Sequence, residues 1–197
     1  MGVQIIEQFI CSKYPDQQTC EDGLFISSDF IAVIDGVTSK GELTWPEPSE
    51  GGAGFLPPMT SGRYAREILT QALKTMEPGI DAASAMEYLN QDLATAAGGR
   101  RDFLLANRDR PYGYDVLDGF AIQPHHVSVY PVPPQTQVVL SSDGYPVLKG
   151  TLAESEKALD ELLQKDPQCL RENRGTKGLV KGNRSFDDRT YVRFVVL

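Results

Sequence analysis

The sequence predicts an α+β fold with mostly antiparallel sheets. Apolar runs of strand length, such as 30–34 and 138–140, end at Asp-Gly pairs. Segments with helical spacing are grouped in the middle of the chain and again after residue 150, and they do not alternate regularly with the strands. The chain has 197 residues, which is enough for a substantial core. We therefore expect a single domain over 1–197.

The first predicted elements are three strands. Residues 3–11 mix alternation with apolar pairs and read as a strand. Strands 24–28 and 30–35 are separated only by a tight turn, which predicts an antiparallel hairpin. A segment rich in Gly and Pro follows at 41–58, and it could be either a flap over a site or a solvated connection.

Two helices are predicted next. The first carries apolar residues at helical spacing between Tyr64 and Met76, with Thr60 or Ser61 able to cap it. The second begins after Asp81 and ends at Gly98-Gly99. Their apolar stripes are typical of faces that pack on a core.

The second half of the chain predicts strands at 126–132 and 136–142, then a helix and a last strand at 190–196. Thr151 and Glu154 form a capping box at the start of that helix. Pro167 is expected to open a further short helix. Asp118-Gly119 has the signature of a hairpin turn, and His125-His126 is expected to be a polar turn with no metal.

The composition of the chain limits the classes of function to be expected. The net charge of −8 argues against a nucleic-acid partner and against an anionic membrane surface. The three cysteines, Cys11, Cys20 and Cys169, fit no zinc spacing and are expected to be reduced thiols. We see no secretory signal and no apolar segment of transmembrane length, so a cytoplasmic enzyme is expected.

Acidic residues recur where predicted strands begin or end. The four sites are Glu21-Asp22-Gly23, Asp35-Gly36, Asp143-Gly144 and Asp187-Asp188. Clustered carboxylates repel one another unless a cation neutralises them, and hard oxygen ligands suit Mg²⁺ or Mn²⁺. If the sheets bring these strand ends together, the sequence predicts a divalent metal site.

Together these motifs resemble those of the metal-dependent serine/threonine protein phosphatases of type 2C. They stand in the family's order over nearly the whole chain, with the two helices after the second motif. The resemblance implies an α/β/β/α sandwich with two Mn²⁺ or Mg²⁺ ions. It implies hydrolysis of phosphoserine, phosphothreonine or a small phosphomonoester by a metal-bridging water.

The resemblance also assigns roles to individual residues. Asp35 and Asp143 would be the catalytic residues, with Asp35 bridging both ions and the Gly36 carbonyl binding one of them. Asp143 and Asp187 would complete the other ion's coordination. Glu21 and Asp22 would hold metal-bound waters.

Three features depart from the family pattern. The position of the phosphate-binding arginine is Gln17, and that of the general-acid histidine is Val37. The stretch between the second predicted helix and Tyr112 is shorter than in the family. Either this chain is a reduced variant of the family or a segment near 98–102 is missing. Unpaired sheet edges left by the lost strands predict a homodimer. A cation for the phosphate could come from one of the residues Lys13, Arg174, Lys177, Lys181 or Arg184. The alternative for each of the last four is a position in a solvated surface loop.

Two other functions compete with this one. The segment 34–38 echoes a haloacid-dehalogenase motif, but the required nucleophilic aspartate two residues before Asp35 is Val33, which excludes that chemistry. A phosphatase-fold protein that binds or regulates a partner with little or no turnover is favoured by Gln17 and Val37. It is opposed by the retained carboxylates.

Overall fold

The computed structural model describes residues 2–37, 44–45, 59–97, 116–119 and 122–197. It confirms a mixed α+β protein, with two small antiparallel sheets and three α-helices in the described ranges. The chain divides into two compact units, Met1–Gly36 with Val132–Leu197, and Val37–Pro131. The single domain over 1–197 stays a prediction.

The first unit contains both sheets. Strand β1 (Val3–Cys11), β4 (Gln137–Ser141) and β5 (Arg189–Val196) form a three-stranded sheet in the order β1-β5-β4. Strands β2 (Gly23–Ile26) and β3 (Ile31–Ile34) form the other sheet. The β2–β3 pairing is antiparallel, which confirms the predicted hairpin.

The central strand β5 supplies apolar side chains to both faces of its sheet. Tyr191 packs with residues of the helix Leu152–Lys165, which is α3 in chain order. Val192 and Phe194 pack against the hairpin β2–β3. Because successive side chains of a strand point to opposite faces, this single apolar strand joins three layers: α3, the larger sheet and the smaller sheet.

A bulge in β1 lets that strand serve both faces as well. Ile5 pairs with Phe194 while Glu7 pairs with Arg193, so two steps along β1 match one step along β5. Ile5 therefore packs toward the small sheet, whereas Phe9 packs toward α3. Without the extra residue the two side chains would face the same side.

The end of α3 differs from the prediction. Its start is as expected, because the Thr151 Oγ1 accepts the Glu154 N–H at 3.3 Å. The short helix predicted at Pro167 is wrong. The Asp166 carboxylate instead accepts backbone N–H groups of the residues Leu170, Arg171 and Glu172, and these bonds hold the chain in a turn.

The second unit contains α1 (Ser61–Thr75) and α2 (Ala82–Ala97). Thr60 caps α1, as predicted, by accepting the Arg63 N–H at 3.3 Å. The Tyr64 hydroxyl donates to the Ala96 carbonyl, and the hydroxyls of Thr75 and Tyr88 lie 3.0 Å apart, so the two helices run antiparallel.

The remaining predictions for the second unit are partly corrected. The strand predicted at 126–132 is wrong, since Pro124–His126 is a 3₁₀ turn and 127–132 has no strand pairing. Gly119 adopts a φ of 86° in a bend, and the residues flanking 116–119 lie outside the described ranges. The same holds for most of the predicted 41–58 loop, for Gly98-Gly99 and for 98–102.

All three cysteines are free thiols. Within the described ranges no helix combines the length and the apolar character needed to cross a bilayer.

Candidate functional site

The acidic motifs meet at one end of the two sheets in the first unit. Antiparallel pairing puts the ends of β1 and β4 beside the start of β5, and the end of β3 beside the start of β2. Hydrogen bonds link the sheets there, two of them donated by backbone N–H groups. The Glu21 N–H donates to Asp188 Oδ2 at 2.9 Å, and the Asp143 N–H donates to Asp35 Oδ2 at 3.2 Å. Residues more than 100 positions apart therefore form one carboxylate cluster.

One part of the cluster surrounds a lysine, and we call it the lysine-paired half: Lys13, Glu21, Asp187 and Asp188. The Lys13 Nζ lies 2.8 Å from Asp187 Oδ1, 3.3 Å from Glu21 Oε2 and 3.4 Å from Asp188 Oδ2. The Lys13 side chain is only 1% exposed. An ammonium so deeply buried is stable only beside opposite charge, and here the charge comes from three carboxylates.

The pKa values of this half follow from the pairing. Burial would lower the pKa of Lys13, but the hydrogen bond and negative charge of Asp187, with Asp188 and Glu21, raise it. Burial works against ionisation of Asp187, yet the hydrogen bonds from Lys13 and Lys177 hold its pKa below the usual value. Both groups are therefore charged at neutral pH.

Asp188 connects the backbone around this half. Its Oδ1 accepts the Lys13 N–H at 2.7 Å, and its Oδ2 accepts the Glu21 N–H. A carboxylate that receives backbone N–H groups from two segments fixes the position of both. Asp188 thus holds the end of β1 and the approach to β2 against the start of β5.

Asp22 lies beneath the cluster and is 1% exposed. Its Oδ2 accepts a hydrogen bond from Thr190 Oγ1 at 3.0 Å. Burial raises the pKa of Asp22 to about 7; a hydrogen bond from Ser142 opposes that rise, and repulsion from Asp35 adds to it. Near neutral pH this carboxyl accordingly holds a proton in a large fraction of molecules.

Asp35 and Asp143 form the other part of the cluster, the open half. Both residues are exposed to solvent. Neighbouring protein atoms still displace water from the Asp35 carboxyl, and Asp143 repels its charge, so the pKa of Asp35 rises to about 6. Among the described residues, neither carboxylate has a lysine or arginine in ion-pair contact with it. The open half is thus the part of the cluster that a ligand from solvent can reach.

The glycines of the two Asp-Gly motifs allow close backbone contacts. A Cβ on Gly36 would lie 2.2 Å from the Glu21 carbonyl oxygen, and one on Gly144 would lie 1.8 Å from the Asp188 carbonyl oxygen. No side chain fits at such distances. Each Asp-Gly pair therefore packs directly on the backbone of another acidic motif.

The structure separates the residues predicted to bind substrate. Lys13 is buried inside the cluster, while Lys177 is about half exposed and forms an ion pair with Asp187. Arg184 approaches through its backbone, whose N–H donates to the Lys13 carbonyl at 2.7 Å. Arg174 is exposed and its Nε donates to the Leu170 carbonyl, and Lys181 is exposed in a turn.

Two positions that depart from the family pattern are also described. The side-chain oxygen of Gln17 accepts the Ser12 N–H at 2.9 Å, so Gln17 stabilises the loop after β1. Val37 is exposed. Neither side chain carries a charge or an acidic proton that could act on a phosphate group.

The sequence motifs give no role to three residues of the site: Ser142, Asp188 and Thr190. Asp188 belongs to the acidic pair Asp187-Asp188, but the resemblance gives a role only to Asp187. Ser142 and Thr190 are fully or almost fully buried hydroxyls that bond each other's strands, since the Thr190 N–H donates to Ser142 Oγ at 2.9 Å. Small polar residues directly beside the acidic motifs were the available signal.

In the described part of the chain, no group of three or more His, Cys, Asp or Glu side chains has an arrangement suited to a metal ion. The contacts of the lysine-paired half are consistent with this, because its oxygens already accept bonds from Lys13, Lys177 and backbone N–H groups.

Comparison with protein-family models, curated proteins and solved structures found no match for this chain.

Proposed function

We propose that this protein is a divalent-metal-dependent phosphomonoester hydrolase of the type 2C kind. The observation that carries the proposal is the meeting of Asp35, Asp143 and Asp187, from three separate segments, at one end of the sheets. Two of these carboxylates are exposed and have no cationic partner in the described ranges. Surface acids distributed for solubility alone would not be expected to converge in this way.

The open half fits a hard cation best. Asp35 and Asp143 supply carboxylate oxygens, and repulsion between the two raises the pKa of Asp35. A Mn²⁺ or Mg²⁺ ion would relieve that repulsion and favour the ionised form of both groups. The family's full ligand set also includes the Gly36 carbonyl, Asp187 and the water-holding pair Glu21-Asp22.

A bound divalent ion would lower the pKa of a water molecule and stabilise the charge that develops on a phosphoryl group. The chain's own residues would orient the site. Asp188 and the close contacts at Gly36 and Gly144 hold the acidic segments in place. Lys177, exposed beside Asp187, is the cation best located to attract a phosphate dianion.

The finer features of the resemblance belong to the same proposal. The finer fold of the proposal is the family's α/β/β/α sandwich. The substrate would be a phosphoprotein or a small phosphomonoester, met in the cytoplasm. Sheet edges that have no neighbouring strand in the described ranges would support a homodimer.

The test combines turnover with metal-dependent stability. We expect hydrolysis of an aryl phosphate that requires Mn²⁺ or Mg²⁺, and a rise in melting temperature with added Mn²⁺. Asp143→Asn removes one negative charge with little change in shape, so we expect it to lower kcat/KM by roughly 100-fold or more and to reduce the Mn²⁺ shift. Asp160→Asn, an exposed acid on α3, is the matched control and should leave both unchanged.

A second function is favoured by one observation, the engagement of Glu21, Asp187 and Asp188 by Lys13. A cluster that the chain neutralises itself suits a phosphatase-fold protein that binds or regulates a partner with little or no turnover. That protein would show no Mn²⁺-dependent hydrolysis. Absence of both hydrolysis and a Mn²⁺ shift at millimolar metal would overturn the hydrolase and leave this second function.

A further inference from the structure

We infer that the ammonium group of Lys13 takes the place of a metal ion at Asp187, so that Asp187 leaves the ligand set that the resemblance implies and the protein binds a single divalent ion at Asp35 and Asp143. This inference rests on the proposed function, because it concerns how many ions the same site holds. It assigns Lys13 a positioning role inside the cluster, in place of the contact with substrate that the sequence suggested.

The contacts of Lys13 are those of a counter-ion. Its Nζ reaches Glu21, Asp187 and Asp188 at 2.8–3.4 Å. An ammonium has three N–H donors, so three carboxylates can satisfy it. Its 1% exposure leaves almost no surface with which to meet a substrate.

The same contacts already occupy both carboxylate oxygens of Asp187. Asp187 Oδ1 accepts bonds from Lys13 Nζ at 2.8 Å and from the Asp188 N–H at 2.9 Å, while Oδ2 pairs with Lys177. A Mg²⁺ ion needs its ligand oxygens at about 2.0–2.1 Å. An ion bound to Oδ1 would compete with both of these donors, and the positive charge of the ammonium group 2.8 Å from the same oxygen would repel it.

The charge balance supports the same conclusion. The lysine-paired half contains three carboxylates, those of Glu21, Asp187 and Asp188. Two cations already pair with them: Lys13 inside this half and Lys177 from the surface. The open half has two carboxylates and no lysine or arginine paired with them in the described ranges. One divalent ion at Asp35 and Asp143 would neutralise the open half in full.

The experiment counts metal ions per chain. The full-length protein is saturated with Mn²⁺, freed of excess ion, and measured by native mass spectrometry and elemental analysis. We expect one ion in the parent, two in Lys13→Met, where the cation is removed, and one in Lys177→Met. The last variant is the matched control, since Lys177 also pairs with Asp187 but from the surface.

A second variant keeps the test decisive if Lys13→Met does not fold. Asp187→Asn should still bind one ion, whereas a binuclear site would lose an ion or bind it at least tenfold more weakly. Two ions in the parent, or one ion in a folded Lys13→Met, would overturn the inference.

The metal count also separates this inference from the proposed function. No ion in the parent would overturn the proposed function. In that case an ion in Lys13→Met would still support the counter-ion role, and none in either protein would overturn both.

Discussion

The two halves of the carboxylate cluster use the same kind of residue at the same end of the sheets, but in different ways. In the lysine-paired half, Glu21 and Asp188 are buried and bound to Lys13, and the Asp188 carboxylate also accepts two backbone N–H groups. In the open half, Asp35 and Asp143 are exposed and repel each other. A carboxylate at a strand end is thus structural where the chain supplies its cation, and available to a ligand where it does not.

Asp22 shows what happens between these extremes. It is as buried as Asp188, and it accepts hydrogen bonds from the hydroxyl groups of Thr190 and Ser142. Hydroxyl donors stabilise a buried carboxylate less than a full positive charge does. Its pKa accordingly rises to about 7, while that of Asp187, beside two lysines, falls below the usual value.

The largest expected effect comes from removing the cation of the lysine-paired half. Lys13→Met would leave three carboxylates with one lysine fewer, and breaking a buried ion pair in this way costs about 3–5 kcal/mol of unfolding free energy. Lys177→Met removes a pair whose lysine is about half exposed, so we expect a loss of about 1 kcal/mol or less. Urea unfolding in EDTA measures both, and equal losses would erase the distinction between buried and exposed lysines.

The next effect is a pH dependence that belongs to Asp22. Its folded pKa of about 7 lies above the usual 3.8, so the folded state holds a proton that the unfolded state has already released. The stability this gives is complete below pH 4 and is lost as the pH rises through 7. Between pH 5 and 8 in EDTA, we expect the contribution of Asp22 to the unfolding free energy to fall by on the order of 2–3 kcal/mol.

Asp22→Asn removes this titration and should flatten the curve over that range. Asp35 titrates in the same direction with a pKa of about 6, so a shallower decline should remain. Asp187 has the opposite sign, because its lowered pKa gives stability that is lost only when the pH falls toward and below 4. An unchanged slope in Asp22→Asn would show that Asp22 ionises normally in the folded protein.

A smaller effect is expected from the contact that joins the open half to the lysine-paired half. The Cβ of Gly144→Ala would lie 1.8 Å from the Asp188 carbonyl oxygen, so the two backbones must separate. Overpacking of this kind costs about 1–3 kcal/mol. Gly150→Ala meets nothing within 4 Å and should change stability by about 0.5 kcal/mol or less. If both variants unfolded at the same urea concentration, the two segments would not be in contact in solution.

Much of the described fold could be predicted from local signals. The strand 3–11, the hairpin, and the caps at Thr60 and Thr151 are set by patterns within a few residues. The helix predicted at Pro167 does not form, because the Asp166 carboxylate accepts three backbone N–H groups that follow Pro167 and holds them in a turn. The strand predicted at 126–132 does not form, because a residue composition typical of strands does not by itself provide another strand to pair with.

The site was predictable in its residue types but not in its internal pairing. Acids at strand ends indicated that Asp35, Asp143 and Asp187 could meet. Nothing near Lys13 in the sequence indicated that its side chain would turn inward, because its partners lie partly at 187–188, at the far end of the chain. Contacts between distant segments depend on sheet register, which local composition does not contain.

The bulge at Ile6 has a consequence for how the length of β1 can vary. Residues before Ile6 and residues after it are in opposite phase along the strand. Deleting or inserting one residue after Ile6 would turn the later side chains of β1 to the opposite face of the sheet. Phe9 would then point away from α3, and the side chains of the segment leading to Lys13 would be reversed as well. The same change at Ile6 itself would spare the residues that follow and reorient only the first few. Length variation of a single residue in this strand should therefore be tolerated at its start and selected against near the carboxylate cluster.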